Sequence, residues 1–260
     1  MSISFITLSA EGAALIPRLR GEFAALDCHL HESVPALPGC RHFARIADLT
    51  KDLFSTRQAL IYAAPCGVVV RALASLIGSK HTDPAVIVTD VRARWAVSLL
   101  SGHEGGANLL AMRVAKLFDA EPVITTTREA VKTLIVGVGC RRGATCEQIV
   151  AAIHAALAEI GQPLESVRVL ATAEIKRNES GLLQAAAKLN LPLRLLSIEQ
   201  LKSAPQPAIA SEFVRQQIGV AAVAEPAAAL AGRRTKLLLP KTIFNSVTVA
   251  IAREGFSWSE

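Results

Sequence analysis

Short runs of consecutive apolar residues, rich in β-branched side chains, alternate along the chain with longer segments in which apolar residues recur at helical spacing. Strands that are apolar at every position belong to sheets covered on both faces. The alternation therefore predicts βαβ units, and its two series predict two consecutive α/β domains, each a mainly parallel sheet flanked by helices. In the first half the pattern predicts strands at 3–8, 26–30, 59–63, 85–89 and 122–125 and helices at 12–25, 68–77 and 108–118, while 32–49 shows no clear period. The second half restarts with a strand at 133–136, a glycine loop, and a helix bearing Ile149, Ile153, Leu157 and Ile160. Thr145 and Gln148 have capping-box spacing at the start of that helix and Gly161 marks its end. Strands at 167–170, 193–196, 236–239 and 246–252 follow, with a second capping box at Ser197 and Gln200 and helices at 211–218 and 221–231. The restart places the domains at 1–129 and 130–260.

Composition narrows the class of partner. Of 260 residues, 51% are hydrophobic, 19% charged and only 4% aromatic, which excludes disorder and argues against an aromatic-lined RNA-binding sheet. The longest apolar runs are broken by Glu11, Arg71 and Glu225, so no membrane span is expected. The opening Met1-Ser2-Ile3-Ser4-Phe5 lacks the basic region of a signal peptide and reads as a first core strand, with the cytoplasm as the expected compartment. Cys28, Cys40, Cys66, Cys140 and Cys146 show no C-x-x-C or zinc spacing, which favours reduced structural thiols. The net charge is +6, with 15 of the 28 basic but only 10 of the 22 acidic residues following Ala130. That bias suits an anionic partner in the second half without choosing among nucleic acid, nucleotide and polycarboxylate.

Five stretches carry candidate chemistry. The run Gly137-Val138-Gly139-Cys140-Arg141-Arg142-Gly143 follows a predicted strand and opens a predicted helix, so its amides could receive an anion with two arginines alongside. Its glycine spacing is one residue longer than the dinucleotide fingerprint, and no acidic residue ends the next strand, which argues against NAD. Without G-K-[ST] it is no P-loop. The plain alternative is a tight turn with a solvated arginine pair. Next, Ser101-Gly102-His103-Glu104-Gly105-Gly106-Ala107-Asn108 is a glycine-rich bend leading into a helix. Glycines on both sides let backbone approach a ligand, and an imidazole, which ordinarily changes charge near neutrality, is a natural proton carrier. A histidine that merely orders its loop is the alternative. Finally, Pro65-Cys66-Gly67 precedes the helix of Arg71, where Cys66 is either a nucleophile or a small packed thiol. Lys176 within 174–179, and Pro240-Lys241-Thr242, each read as following a strand, where open α/β sheets bind ligands. Solvated loop charges are the alternative there.

Taken in order, these stretches resemble the CbiG family, the cobalt-precorrin-5A hydrolases of anaerobic cobalamin biosynthesis. The resemblance runs through Pro65 to Arg71, Thr82-Asp83-Pro84-Ala85-Val86, Leu100 to Asn108 and Pro122 to Thr126. It continues through Gly137 to Gly143, Glu174-Ile175-Lys176, Gly181-Leu182-Leu183, Ala224 to Ala228 and Pro240-Lys241-Thr242 with Val247 to Ala250. Two departures stand out. Family members usually carry a middle segment between their halves, whereas here Thr127-Arg128-Glu129-Ala130 leads straight into the second domain, and Glu104 stands where the family is typically apolar.

The resemblance implies that water opens the δ-lactone on ring A of cobalt-precorrin-5A. The meso carbon with its methyl group then leaves as acetaldehyde, giving cobalt-precorrin-5B. Such chemistry needs a base, oxyanion donors and cations for the peripheral carboxylates. Residue type and loop position assign proton transfer to His103, with Glu104 as second candidate, and the oxyanion to the amides of Gly105 and Gly106 or of Gly139 to Gly143. Arg71, Arg141, Arg142, Lys176 and Lys241 become carboxylate clamps, and Gly67, Ser101, Gly102 and Asn108 complete the substrate-contacting set. Cobalt arrives with the substrate, so no metal, SAM or nicotinamide cofactor is expected. The expected partners are the cobalt-corrinoid polycarboxylate, neighbouring tetrapyrrole methyltransferases and a second copy of the chain, with neither nucleic acid nor membrane. The alternative function is a non-catalytic corrinoid-binding or hand-over protein of the same pathway. A nucleotide-binding oxidoreductase rests on the glycine loop alone.

Overall fold

The computed structural model describes residues 2–203 and 223–256. The chain divides into two compact units, Met1–Thr126 and Thr127–Glu260, beside a sequence-based boundary at 129/130. The N-terminal unit runs β1 (Ile3–Thr7), α1 (Ala10–Ala13), α2 (Ile16–Glu22), β2 (Leu26–His31), β3 (Cys40–Phe43), α3 (Ile46–Phe54), β4 (Ala59–Ala63), α4 (Cys66–Leu73), β5 (Ala85–Thr89), β6 (Trp95–Leu100), α5 (Ala107–Phe118) and β7 (Glu121–Val123). Its sheet has the order β3-β2-β1-β4-β5-β6-β7. Strands β1 to β5 run parallel, whereas β6 is antiparallel to β5 and carries β7 alongside it in its own direction.

The continuous apolar runs follow from this layering. Every residue of β1 and β4 is buried, because alternate side chains meet helices on opposite faces. Phe5, Leu30, Ile61 and Ile87 pack with Ile16, Leu19, Leu110 and Val114 of α2 and α5. On the other face Ile6, Leu60, Tyr62 and Val88 pack with Leu53, Val69 and Leu73 of α3 and α4. Each such side chain contributes about 1.5–3 kcal/mol of hydrophobic stabilisation.

The structure departs from the pattern in three places here. The single helix expected at 12–25 is two, because Pro17 lacks an N–H and fits only a first helical turn, where α2 begins. The unassigned 32–49 contains β3 and the start of α3. Strand β6 has no counterpart in the reading; it is only partly buried along most of its length, so its apolar pattern is weak.

The C-terminal unit runs α6 (Thr127–Ala130), β8 (Leu134–Cys140), α7 (Cys146–Glu159), β9 (Val167–Ala173), α8 (Ser180–Lys188), β10 (Leu193–Leu196), α9 (Ile198–Ser203), α10 (Ala224–Leu230), β11 (Lys236–Phe244) and β12 (Val247–Arg253). Its sheet has the order β10-β9-β8-β12-β11, with β12 alone running against the other four strands. Both capping boxes form, Thr145 with Gln148 and Ser197 with Gln200. Helix α8 is unexpected, being an alanine-rich segment without a side-chain cap. The helix expected at 211–218 lies outside the described residues, and the one expected at 221–231 is described as α10.

One buried group makes stability pH-dependent. His29 on β2 is 3% exposed and its Nε2 has no partner among the described residues. Burial, reinforced by the guanidiniums of Arg41 and Arg57 and opposed by the carboxylate of Asp27, holds its pKa below the ordinary 6.5. Below that value the unfolded chain takes up a proton that the folded chain refuses, so stability is complete above pH 6.5 and falls as the pH drops through the window beneath it. Thermal unfolding midpoints should therefore decline on acidification from pH 7, and His29→Gln should flatten that decline. Equal declines in the two proteins would show that other groups set the acid sensitivity.

Candidate functional site

The bend at 101–106 is built by close packing and is not a slack loop. A Cβ on Gly102 would lie 2.7 Å from Thr126 Cγ2 and 2.8 Å from Asn108 Oδ1, and one on Gly105 would lie 2.4 Å from Ser101 Cβ. Gly106 has φ +85°, open to glycine at no steric cost. Ser101 itself is left-handed and buried, with its Oγ unpartnered among the described residues. Asn108 is buried and spends its side chain inside the protein, accepting from Ser98 Oγ at 2.8 Å and donating to Thr126 Oγ1 at 2.9 Å. Asn108 thus shapes the bend, with each of its two polar atoms bonded inside the protein.

On this frame stand the exposed side chains of His103 and Glu104. Lys80 Nζ donates to Glu104 Oε1 at 2.8 Å, and that bond holds the Glu104 carboxyl below the usual carboxylate range. An ionised, paired carboxylate is a weak base, so Glu104 supports positive charge on the neighbouring ring better than it replaces it. The amides of Ala107 and Asn108 are satisfied by the carbonyls of Ser101 and Gly102. Those of Gly105 and Gly106 bond to no group among the described residues.

Gly67 and Arg71 do not join this site. Leu100 at the end of β6 lies beside Val86 at the start of β5, whereas Cys66 and Gly67 follow Ala63 of β4, level with Thr89 at the end of β5. The two segments sit at opposite ends of the strands, separated by the length of a five-residue strand that spans about 16 Å. Arg71 Nη1 moreover folds back onto the carbonyl of Gly67 at 3.1 Å. Cys66 is exposed at that far end. An apolar groove of about 510 Å³ runs along α1 and α2, but its one charged lining residue, Arg20, is committed to the carbonyls of Pro38 and Gly39.

In the C-terminal unit the glycine run is largely strand. Gly137, Val138, Gly139 and Cys140 belong to β8, where Gly137 pairs with Ala250 and Gly139 with Thr248 of β12, so Gly139 is no loop donor. Gly137 serves packing, since a Cβ there would strike the carbonyl of Ala224 in α10. Only 141–144 form the loop, with Arg141 and Arg142 exposed. Gly143 gives its amide to Glu179 Oε1 at 2.8 Å. The N-terminus of α7 is closed by its capping box and by Glu147, whose carboxylate sits on its own amide. What remains for an anion is the arginine pair.

The other two cations differ from expectation. Lys176 follows β9 as expected, yet its Nζ lies 3.3 Å from Glu179 Oε2, so its charge is already balanced. Lys241 lies within β11 and not after it, and its backbone N donates to Glu225 Oε1. Pro240 is tolerated there because β11 is an edge strand with an irregular register. Glu179, absent from the sequence-based set, is the polar residue that organises this edge. Only its acidity in a basic segment hinted at it.

Among the described residues no group of three or more His, Cys, Asp or Glu side chains could hold a metal ion, and no helix is long and apolar enough to cross a membrane. Comparison with known proteins matches residues 48–129 to the cobalamin synthesis G N-terminal domain and residues 134–252 to the cobalamin synthesis G C-terminus. The chain is 26% identical to the cobalt-precorrin-5A hydrolase of Salmonella typhimurium over 320 residues, covering 87% of this chain and 91% of that protein. It is 27% identical to the enzyme of the same name from Priestia megaterium over 304 residues, covering 78% and 80%. Protein CobE of Sinorhizobium sp is 31% identical over 128 residues, covering 48% of this chain and 83% of CobE. The first two alignments are longer than the 260-residue chain, so both relatives carry stretches with no counterpart here. With both halves matched in order and almost nothing between them, the chain belongs to the CbiG family of cobalamin synthesis proteins, in a short form.

Proposed function

We propose that this chain hydrolyses cobalt-precorrin-5A, opening its ring A lactone with water and releasing acetaldehyde. Its similarity to two proteins named for that reaction supports the substrate. The observation that carries the chemistry is the exposed His103 ring in a rigid bend beside two amides, of Gly105 and Gly106, that bond to no other described group. In this reading His103 takes a proton from the attacking water, and the two amides hold the oxyanion that forms at the lactone carbonyl. The proton then returns to the ring oxygen as its bond to the carbonyl carbon breaks, which leaves a carboxylate and a hydroxyl on the meso carbon. That hydroxyl loses its proton and becomes the carbonyl of acetaldehyde as the carbon–carbon bond to the macrocycle breaks, its electron pair and a proton staying with the macrocycle. Arg141 and Arg142 are read as clamps for peripheral carboxylates, and the cobalt is part of the substrate. Gly67, Arg71, Lys176 and Lys241 are left out for the reasons above.

Purified protein given cobalt-precorrin-5A without oxygen should release one acetaldehyde per substrate with no added cofactor. The extra stretches of the two relatives favour a second reading, in which this shorter chain binds the corrinoid and hands it on. Tight binding without acetaldehyde, even when pathway extract is supplied, would decide for that second reading.

A further inference from the structure

The loop bearing Arg141 and Arg142 has little to hold it by itself. Two adjacent like charges repel, the loop's own backbone bond from Ala144 to Arg141 is long at 3.3 Å, and Gly143 turns with φ +79°. The restraint comes from α8, 36 residues further on. Glu179 occupies the N-cap position of that helix, where a side chain ordinarily accepts from the helix's own first amides, yet it makes no such bond. Its carboxylate is turned to the loop, with one oxygen on the Gly143 amide at 2.8 Å and the other 3.3 Å from Lys176 Nζ. Gly181 completes the contact, since any Cβ there would strike the carbonyl of Ala144.

We infer that Glu179 is a positioning residue, which fixes the arginine loop through the Gly143 amide while Lys176 balances its charge. The inference rests on the reading of Arg141 and Arg142 as carboxylate clamps. Glu179 and Lys176 are only 10% and 18% exposed, so the carboxylate is kept from the face where a polycarboxylate would approach and does not repel it. The Gly143 amide, followed by Lys176 and Arg142, holds the Glu179 carboxyl below the usual carboxylate range, so the lock stays charged across the range in which the enzyme would work. Lys176 is thereby reassigned from the substrate to the loop.

Two measurements on the full-length protein test this. Amide hydrogen exchange at Gly143, which needs no substrate, should accelerate at least about tenfold in Glu179→Ala and much less in Glu179→Gln, whose side-chain carbonyl can still accept the bond. Affinity for cobalt-precorrin-5A should fall about tenfold in Glu179→Ala, within the range for coupled neighbours, and be largely rescued in Glu179→Gln. Placed in an Arg141→Ala/Arg142→Ala background, Glu179→Ala should cost nothing further. Unchanged exchange at Gly143, or an equal loss of affinity with and without the arginines, would overturn the inference. If the parent protein does not bind the substrate at all, the clamp reading fails together with this role in binding, whereas exchange at Gly143 would still report whether Glu179 locks the loop.

Discussion

Replacing His103 by Asn or Ala is expected to lower acetaldehyde release about 100-fold or more, the usual scale for losing a positioned acid or base, while affinity and thermal stability stay near the parent values. The separation of effects follows from how the bend is held. Its shape comes from the packing of Gly102 against Thr126 and Asn108, of Gly105 against Ser101, and from the bonds of Asn108 to Ser98 and Thr126. None of these is made by the His103 ring, which is exposed. The pH profile of the parent should show a limb that the variant lacks. Glu104→Gln is the internal comparison and should cost far less, because Lys80 holds that carboxylate ionised. Full activity in the His103 variant would remove it from the chemistry, and a large drop in melting temperature would show that it orders the loop.

Arg141→Ala combined with Arg142→Ala should weaken binding of cobalt-precorrin-5A about 100-fold and leave the turnover of bound substrate nearly unchanged. Charge-assisted contacts contribute about 1.5–3 kcal/mol each when desolvated, against ~0–1 kcal/mol for ion pairs left in water. Both side chains are exposed in the protein without ligand, so the gain depends on how far the substrate shields them. A clamp on carboxylates remote from the lactone acts on ground state and transition state alike, so the loss should appear in KM and not in kcat. The parent affinity should also fall with rising salt more steeply than that of the variant. An affinity that does not change would mean that the arginine pair faces solvent when substrate is bound.

Much of the architecture is readable from local pattern. The all-apolar runs of β1 and β4 report strands covered on both faces, and Thr145 with Gln148 reports a helix start, because each signal is carried by residues close together in the chain. The elements that escape such reading are the ones whose support lies elsewhere. Strand β6 is mostly half-buried and held by β5 and β7, and α8 has no cap of its own because Glu179 is spent on a loop 36 residues earlier.

The candidate chemistry divides along the same line. Pattern and motifs along the chain give the α/β class and the family, and they offer as candidates a histidine bracketed by glycines and an arginine pair after a strand. Tertiary structure alone decided which of them stand together. The antiparallel direction of β6 sends His103 to the end of the strands opposite Gly67, and strand pairing takes Gly137 and Gly139 out of the glycine loop. A contact spanning 36 residues settles the Gly143 amide on the Glu179 carboxylate, whereas the Lys176–Glu179 pair is local, three residues apart. Strand direction and the partner of a buried polar group depend on residues far apart in the chain, and no local spacing encodes them.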